Sequence, residues 1–195
     1  MNAYDFDDTI YKGESIFDFF KFCLTKDIKL YLYFPKVLLR LIEYKLNLLS
    51  IGKLYKTAEQ IINSFMKRNK CKTDELVEEF WKKNKHKLKP KFLKMLKTDD
   101  LIITGCPNFL INYIKDDLKV ENIISTEYDI EKNKINFICL GENKVKAFNE
   151  KFKGKKIEKF YTDSLVDIPF MEYATEVYSV KGNIITKINK KKYIK

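Results

Sequence analysis

The sequence predicts an α/β protein with a mostly parallel sheet, interrupted after its first strand by an all-helical insertion. Three observations predict it. A short half-apolar segment, Asn2 to Phe6, opens the chain and runs straight into carboxylates. Residues 14–96 then carry long runs of helix formers with almost no strand alternation or turn chemistry. From Asp100 onward, strand-like and helix-like segments alternate, the pattern of a parallel sheet with crossover helices. The α/β core is therefore assigned to residues 1–13 and 98–195, and the helical block to residues 14–97.

Each element has its own signal. The opening segment suits a buried strand. Within the helical block Pro35 and Gly52 are natural breaks, and Lys72-Thr-Asp-Glu75 reads as a helix start with Thr73 or Asp74 as the cap, giving about four helices. Leu101 to Thr104 is an apolar strand ending at a turn. Pro107 then sits where a first helical turn tolerates it, ahead of Phe109 to Ile114. Asn122 to Cys139 holds two alternating segments around Glu131 to Lys134, a hairpin. A helix over Asn143 to Phe152, a strand over Ile157 to Thr162, a short helix over Ile168 to Ala174 and a last strand over Glu176 to Val180 follow. Lys190 to Lys195 reads as a frayed tail.

Composition narrows the function. The 195 residues, 45% of them hydrophobic, suffice for a well-packed core. The formal charge of +11 attracts anions. Only Arg40 and Arg68 are arginines, however, and specific phosphate and base recognition favours the arginine fork over scattered lysine. The charge is thus read as surface solvation with mild attraction of phosphorylated substrates, and no specific nucleic-acid partner is expected. Cys23, Cys71, Cys106 and Cys139 form no C-x-x-C pair, and the chain opens without a basic-then-apolar leader, so a reducing, cytoplasmic setting is expected. His86 is the one histidine and lies among lysines in a helical stretch, where it should face solvent. Acid-base chemistry must then fall to carboxylates and lysines.

Ligands of open α/β sheets bind beyond the carboxyl ends of the strands. Collecting the residues there gives Asp5 and Asp7 after the first strand, Thr104 after Leu101-Ile-Ile, Asp163 and Asp167 after Lys159-Phe-Tyr-Thr162, and Lys144 at a helix start. Two carboxylates at about 4 Å repel by on the order of 4 kcal/mol at an effective dielectric of ~20, so a cation is required. A hard divalent ion suits oxygen donors, and magnesium typically takes one or two carboxylates plus waters and a phosphate oxygen. Of two aspartates spaced by one residue, one can attack phosphorus while the other trades a proton with the leaving oxygen and with water.

These residues carry a family resemblance over essentially the whole chain. Asp5-Phe-Asp-Asp-Thr9 resembles the D-x-D-x-T motif of the haloacid dehalogenase (HAD) superfamily. Ile102-Ile-Thr104 resembles its second motif, Lys144 its third, and Asp163-Ser-Leu-Val-Asp167 its fourth, in the same order. The insertion after the first motif is similar to the helical cap of the phosphoserine-phosphatase-like branch (subfamily IB). The resemblance implies a Rossmann-like core under a helical cap and an Mg2+-dependent phosphatase acting through an aspartyl-phosphate. It implies Asp5 as nucleophile and metal ligand, Asp7 as general acid-base lending its carbonyl to the metal, Thr104 and Lys144 as phosphate holders, and Asp163 with Asp167 completing the metal site. Asp8, Thr162 and Cys106 depart from residues common in the family, and none removes a catalytic group.

Other readings stand beside this one. Cys106 in Cys106-Pro-Asn lacks the neighbouring arginine that a cysteine phosphatase needs and is read as a packing residue. A phosphotransferase would use the same side chains, and a non-enzymatic basic protein would bind membranes or nucleic acid. The substrate is expected to be a small phosphorylated metabolite such as phosphoserine, with Glu14 facing an amine and Arg40 or Arg68 a carboxylate, or else a lipid phosphate. The apolar stretch from Ile28 to Leu49 is read as a helix buried in the cap; the alternative is a face that meets a membrane surface or a lipid-like substrate.

Overall fold

A computed structural model describes residues 1–33, 35–36, 39, 43, 60, 63–68 and 72–192. Arg40, Gly52, Cys71 and most of the apolar stretch over residues 28–49 lie outside the described residues. Among those described, seven strands form one sheet in the order β4-β3-β2-β1-β5-β6-β7. They are β1 (Ala3–Tyr4), β2 (Leu101–Pro107), β3 (Asn122–Asp129), β4 (Lys134–Phe137), β5 (Ile157–Thr162), β6 (Ala174–Lys181) and β7 (Ile184–Ile188). The five central strands are parallel, and β4 and β7 add antiparallel edges.

β1 is short because it only threads the middle of the sheet. Ala3 pairs with Leu101 and Phe160, and Tyr4 with Ile102 and Tyr161. Both edges are therefore paired, and with Ala3 and Tyr4 both buried the sheet's two faces are covered here, which explains the apolar sequence. On one face Tyr4, Tyr161 and Tyr178 stack in register at centroid separations of 4.7 and 5.0 Å. Phe92 meets two of these rings edge-on at 6.4 Å, each contact adding about 0.5–1.5 kcal/mol beyond area burial. The other face buries Ala3, Leu101, Ile103 and Phe160 against Phe148 and Phe170.

The described helices are α1 (Ser15–Leu24), α2 (Thr73–Asn84), α3 (Pro90–Met95), α4 (Asn108–Ile111), α5 (Lys115–Leu118), α6 (Glu142–Lys151) and α7 (Ile168–Met171). α2 buries Leu76, Val77, Phe80 and Trp81 along one stripe, and α1 answers with Phe19 and Phe22. Phe80 meets Phe19 at 5.3 Å and Phe22 at 6.0 Å. Trp81 donates its indole N–H to the Leu110 carbonyl at 2.9 Å, tying α2 to the core.

Three details differ from the sequence expectations. α2 begins one residue early: Lys72 is the N-cap, and Thr73 is already helical and buried. Asp74 and Glu75 stabilise the first turn through its dipole instead. β2 continues past Thr104 to Pro107, which pairs with Thr126 after an irregular register. β7 was not foreseen; it returns through a tight turn in which Gly182 takes φ 60°, at no steric cost to glycine.

Candidate active site

The sheet's carboxyl edge gathers the chain's acidic motifs. Asp5 extends β1 by one residue, its N–H donating to the Tyr161 carbonyl at 2.8 Å. Its side chain is thereby aimed beyond the sheet, 7% exposed. Lys144 lies in the first turn of α6, which starts from Gly141 at φ 51°. Its ammonium, 1% exposed, stands 2.8 Å from Asp5 Oδ1 and 2.7 Å from Asp167 Oδ1. Asp167 Oδ2 accepts from the Thr162 hydroxyl at 2.7 Å. Both oxygens of Asp167 are thus held by protein groups, whereas Asp5 keeps its second oxygen.

Asp7 is set by the loop that follows β1. Its Oδ1 accepts from the Ser15 N–H at 2.7 Å, at the start of α1, and its carbonyl accepts from the Thr9 N–H at 2.6 Å. Between them Asp8 takes φ 49°, and its Oδ1 accepts from the Gly13 N–H at 2.8 Å, closing the loop. Thr104 is fully buried; its Oγ1 accepts from the Cys106 N–H at 3.0 Å, which leaves the hydroxyl proton free to donate. Asp163 and Glu14 stand exposed at the mouth.

One ammonium cannot neutralise this many carboxylates. Burial pushes the Asp5 carboxyl well above the usual range; Lys144 opposes that and Asp167 adds to it. Lys144 loses proton affinity to burial and regains more from Asp5 and Asp167, so it stays cationic. Desolvation raises Asp7 to about 6, against the Ser15 hydrogen bond. Glu14 rises to about 7 through desolvation and the neighbouring Asp7 and Asp163. Asp163 is also pushed up, by lost hydration first and then by Asp8 and Asp167.

A divalent cation fits this donor set. Among the described residues no three His, Cys, Asp or Glu side chains converge into a ready cage. Magnesium does not need one, because one or two carboxylates, a carbonyl and waters satisfy it. Asp5, the Asp7 carbonyl and Asp163 can supply those, and the uncompensated negative charge favours it. The hydroxyl of Thr9, buried without a hydrogen-bond partner, leaves further polar capacity close by.

The sign of the pH dependence follows. A carboxyl raised in the folded state contributes stability below its ordinary value and loses it as pH rises through the folded value. In chelator-treated protein, the melting temperature is expected to fall, relative to protein in saturating Mg2+, between about pH 4 and pH 7. Scanning calorimetry of both samples across that range checks it; a gap that stays constant with pH would count against a cation among these carboxylates.

Comparison with known proteins agrees with the fold. The family model of haloacid dehalogenase-like hydrolases matches residues 3–172. The chain belongs to that family. The fold of this hydrolase is similar to a Bordetella pertussis Tohama I protein of unknown function, with TM-score 0.72, 16% identity, and coverage of 91% of this chain and 87% of that one. It is also similar to a HAD family hydrolase from Salmonella enterica serovar Typhi, with TM-score 0.60, 15% identity, and coverage of 88% and 59%. A phosphoserine phosphohydrolase-like protein from Francisella tularensis gives TM-score 0.55, 18% identity, and coverage of 91% and 86%. No curated protein matches the sequence.

Not every residue singled out in the sequence of this hydrolase reaches the site. Arg68 is spent on Asp27, at 2.9 and 2.7 Å, and on Ser64, at 2.6 Å, within the helical block. His86 is exposed. Burial pushes the Cys106 thiol well above its usual range, unlike a nucleophilic cysteine. Sequence reasoning missed the roles of Ser15, which orients Asp7, and of Thr162, which holds Asp167. It also missed Lys89, a buried lysine that looks like any other in so basic a chain. The signal available for Ser15 was its place at the head of an apolar helical run directly after Glu14.

Proposed function

We propose that this hydrolase is a Mg2+-dependent phosphomonoesterase that works through an aspartyl-phosphate. The observation that carries the reading is the buried Lys144 ammonium held between Asp5 and Asp167, with Asp7 turned to the same mouth. Lys144 fixes Asp5 Oδ1, so the second oxygen attacks phosphorus. As the new O–P bond forms, the bond to the ester oxygen breaks, and Asp7 passes its proton to that oxygen. Asp7, now ionised, takes a proton from water as the water oxygen attacks phosphorus, and cleavage of the acyl phosphate returns Asp5 and releases phosphate. A value of about 6 places Asp7 where both transfers are feasible near neutral pH.

Thr104 and Lys144 hold the phosphoryl oxygens. Asp5, the Asp7 carbonyl and Asp163 hold Mg2+, which when bound offsets charge on the phosphoryl group. Asp167 would complete the metal site and also anchors Lys144, since each of its oxygens keeps a lone pair beyond the hydrogen bond it accepts. Glu14 at the mouth suits a small substrate whose organic part carries a cationic group. No helix among the described residues is long and apolar enough to cross a membrane. Among the described residues the thiols of Cys23, Cys106 and Cys139 are buried and free, in keeping with a reducing, cytoplasmic setting.

The test is phosphate release from 4-nitrophenyl phosphate, then from a panel of phosphorylated metabolites and phospholipids, with Mg2+ and with chelator. Turnover in Mg2+ that chelator removes is expected. Equal turnover under both conditions would overturn the metal-dependent reading.

A further inference from the structure

The segment that brings the chain back from the helical block runs along the loop that carries Asp7. Tyr11 and Leu88 form an antiparallel bridge. The Lys12 N–H donates to the Lys87 carbonyl at 2.9 Å, and the Lys89 N–H to the Ile10 carbonyl at 2.8 Å. Lys89 ends this pairing with its side chain inside the protein, 7% exposed. The ammonium donates to the Asp8 carbonyl and, at 2.9 Å, to the Gly182 carbonyl in the β6–β7 turn.

A methionine would fill the same space without burying an ammonium, which is unfavourable unless the charge finds partners. The penalty is visible in the lysine's proton affinity, which burial lowers and the Asp8 and Asp163 carboxylates partly restore. What lysine adds is a pair of donors that joins two segments distant in sequence, and positive charge beside two carboxylates. Asp8 is where this acts. Its φ of 49° is a region that residues other than glycine seldom adopt. Holding its carbonyl fixes the Asp8–Thr9 peptide, whose N–H bonds the Asp7 carbonyl at 2.6 Å.

We propose that Lys89 is a positioning residue for the reacting pair: it clamps the left-handed turn at Asp8 against the β6–β7 hairpin, so that Asp7 faces the site it shares with Asp5. This rests on reading Asp5 and Asp7 as the pair that carries out phosphoryl transfer. The residue touches neither the ester nor the metal, and it acts through the loop.

The test compares wild type with Lys89→Met and Lys89→Gln, the second keeping a donor without the charge. Hydrolysis of 4-nitrophenyl phosphate is measured in Mg2+, and Mg2+ is titrated separately, without substrate, by its effect on the melting temperature. Lys89→Met is expected to lower kcat about 10- to 100-fold while KM stays within about a factor of two, because the acid-base group is displaced and the phosphate site is not. It is also expected to need about tenfold more Mg2+ for the half-maximal thermal shift, as the Asp7 carbonyl moves with the turn. Lys89→Gln should fall between the two, and it takes the place of the methionine variant if that one does not fold. Wild-type kcat together with a wild-type Mg2+ midpoint in a folded variant would overturn the proposal. So would a fall in kcat/KM carried by KM alone, since that is what a looser structure without displacement of Asp7 would give. If wild type releases no phosphate while Mg2+ still stabilises it, the phosphatase reading fails, and the Mg2+ midpoints alone decide for or against Lys89.

Discussion

Replacing Asp5 by asparagine is expected to lower phosphate release by about four orders of magnitude or more, because on the proposed reading it removes the group that forms the covalent intermediate. The exchange keeps the shape of the side chain and deletes one charge. The Lys144 ammonium then has only Asp167 to pair with, and the cost of a buried Asp5 carboxylate, raised first by lost hydration and then by Asp167, disappears. Asp5→Asn should therefore be folded, and at neutral pH without metal at least as stable as wild type. Activity and stability move in opposite directions, which separates chemical failure from misfolding. Asp7→Asn gives the contrast. With a good leaving group, attack needs little help from an acid, but hydrolysis of the acyl phosphate needs the base, so one equivalent of nitrophenol should appear rapidly and turnover should then stall. Rapid-quench detection of nitrophenol and of phosphorylated protein checks both variants. Sustained turnover in Asp5→Asn would rule out the assigned nucleophile.

Lys144→Met is expected to destabilise the protein by about 3–5 kcal/mol at neutral pH, the range for removing one partner from a buried ion pair. The cost comes from what is left behind: two buried carboxylates with no cation. Asp5 already stands above its ordinary value with Lys144 present. Without it the value rises further, and a carboxyl raised in the folded state favours folding only while it is protonated. The deficit should therefore grow as pH rises from about 4 through neutrality and shrink in acid. Mg2+ should recover part of the loss by supplying positive charge to Asp5. Urea denaturation at pH 5 and pH 8, with and without Mg2+, reads all three effects. A variant as stable as wild type at pH 8 would mean that Lys144 does not balance this pair.

Most of the parallel core was legible because its strands are apolar runs, three of which carry or lead into a residue with chemistry: Asp5, Thr104 and Asp163. That arrangement follows from the sheet itself, whose interior must be apolar and whose carboxyl edge opens to ligand. β7 was not legible, because Ile184-Ile-Thr-Lys-Ile188 is interrupted by charge and merges into a lysine-rich tail; the Gly182-Asn183 turn was its one clear mark. In the candidate site, order along the chain singles out the carboxylates and Lys144, but only distances show how differently they are held. Asp163 and Asp167 read alike in sequence, yet one stands at the open mouth and the other has both oxygens bonded inside. Lys89 was invisible for a statistical reason: in a chain with 38 basic residues, a buried lysine has no composition signal.

Trp81 is the chain's only tryptophan, and it sits where the helical block meets the core. Its ring is edge-on to Tyr11 at 5.7 Å and to Phe6, the residue between Asp5 and Asp7, at 6.4 Å. The chain's one indole thereby lies against the loop that carries Asp5 and Asp7. Excited selectively, its emission reports on that loop without a label, and no second indole exists to blur the signal.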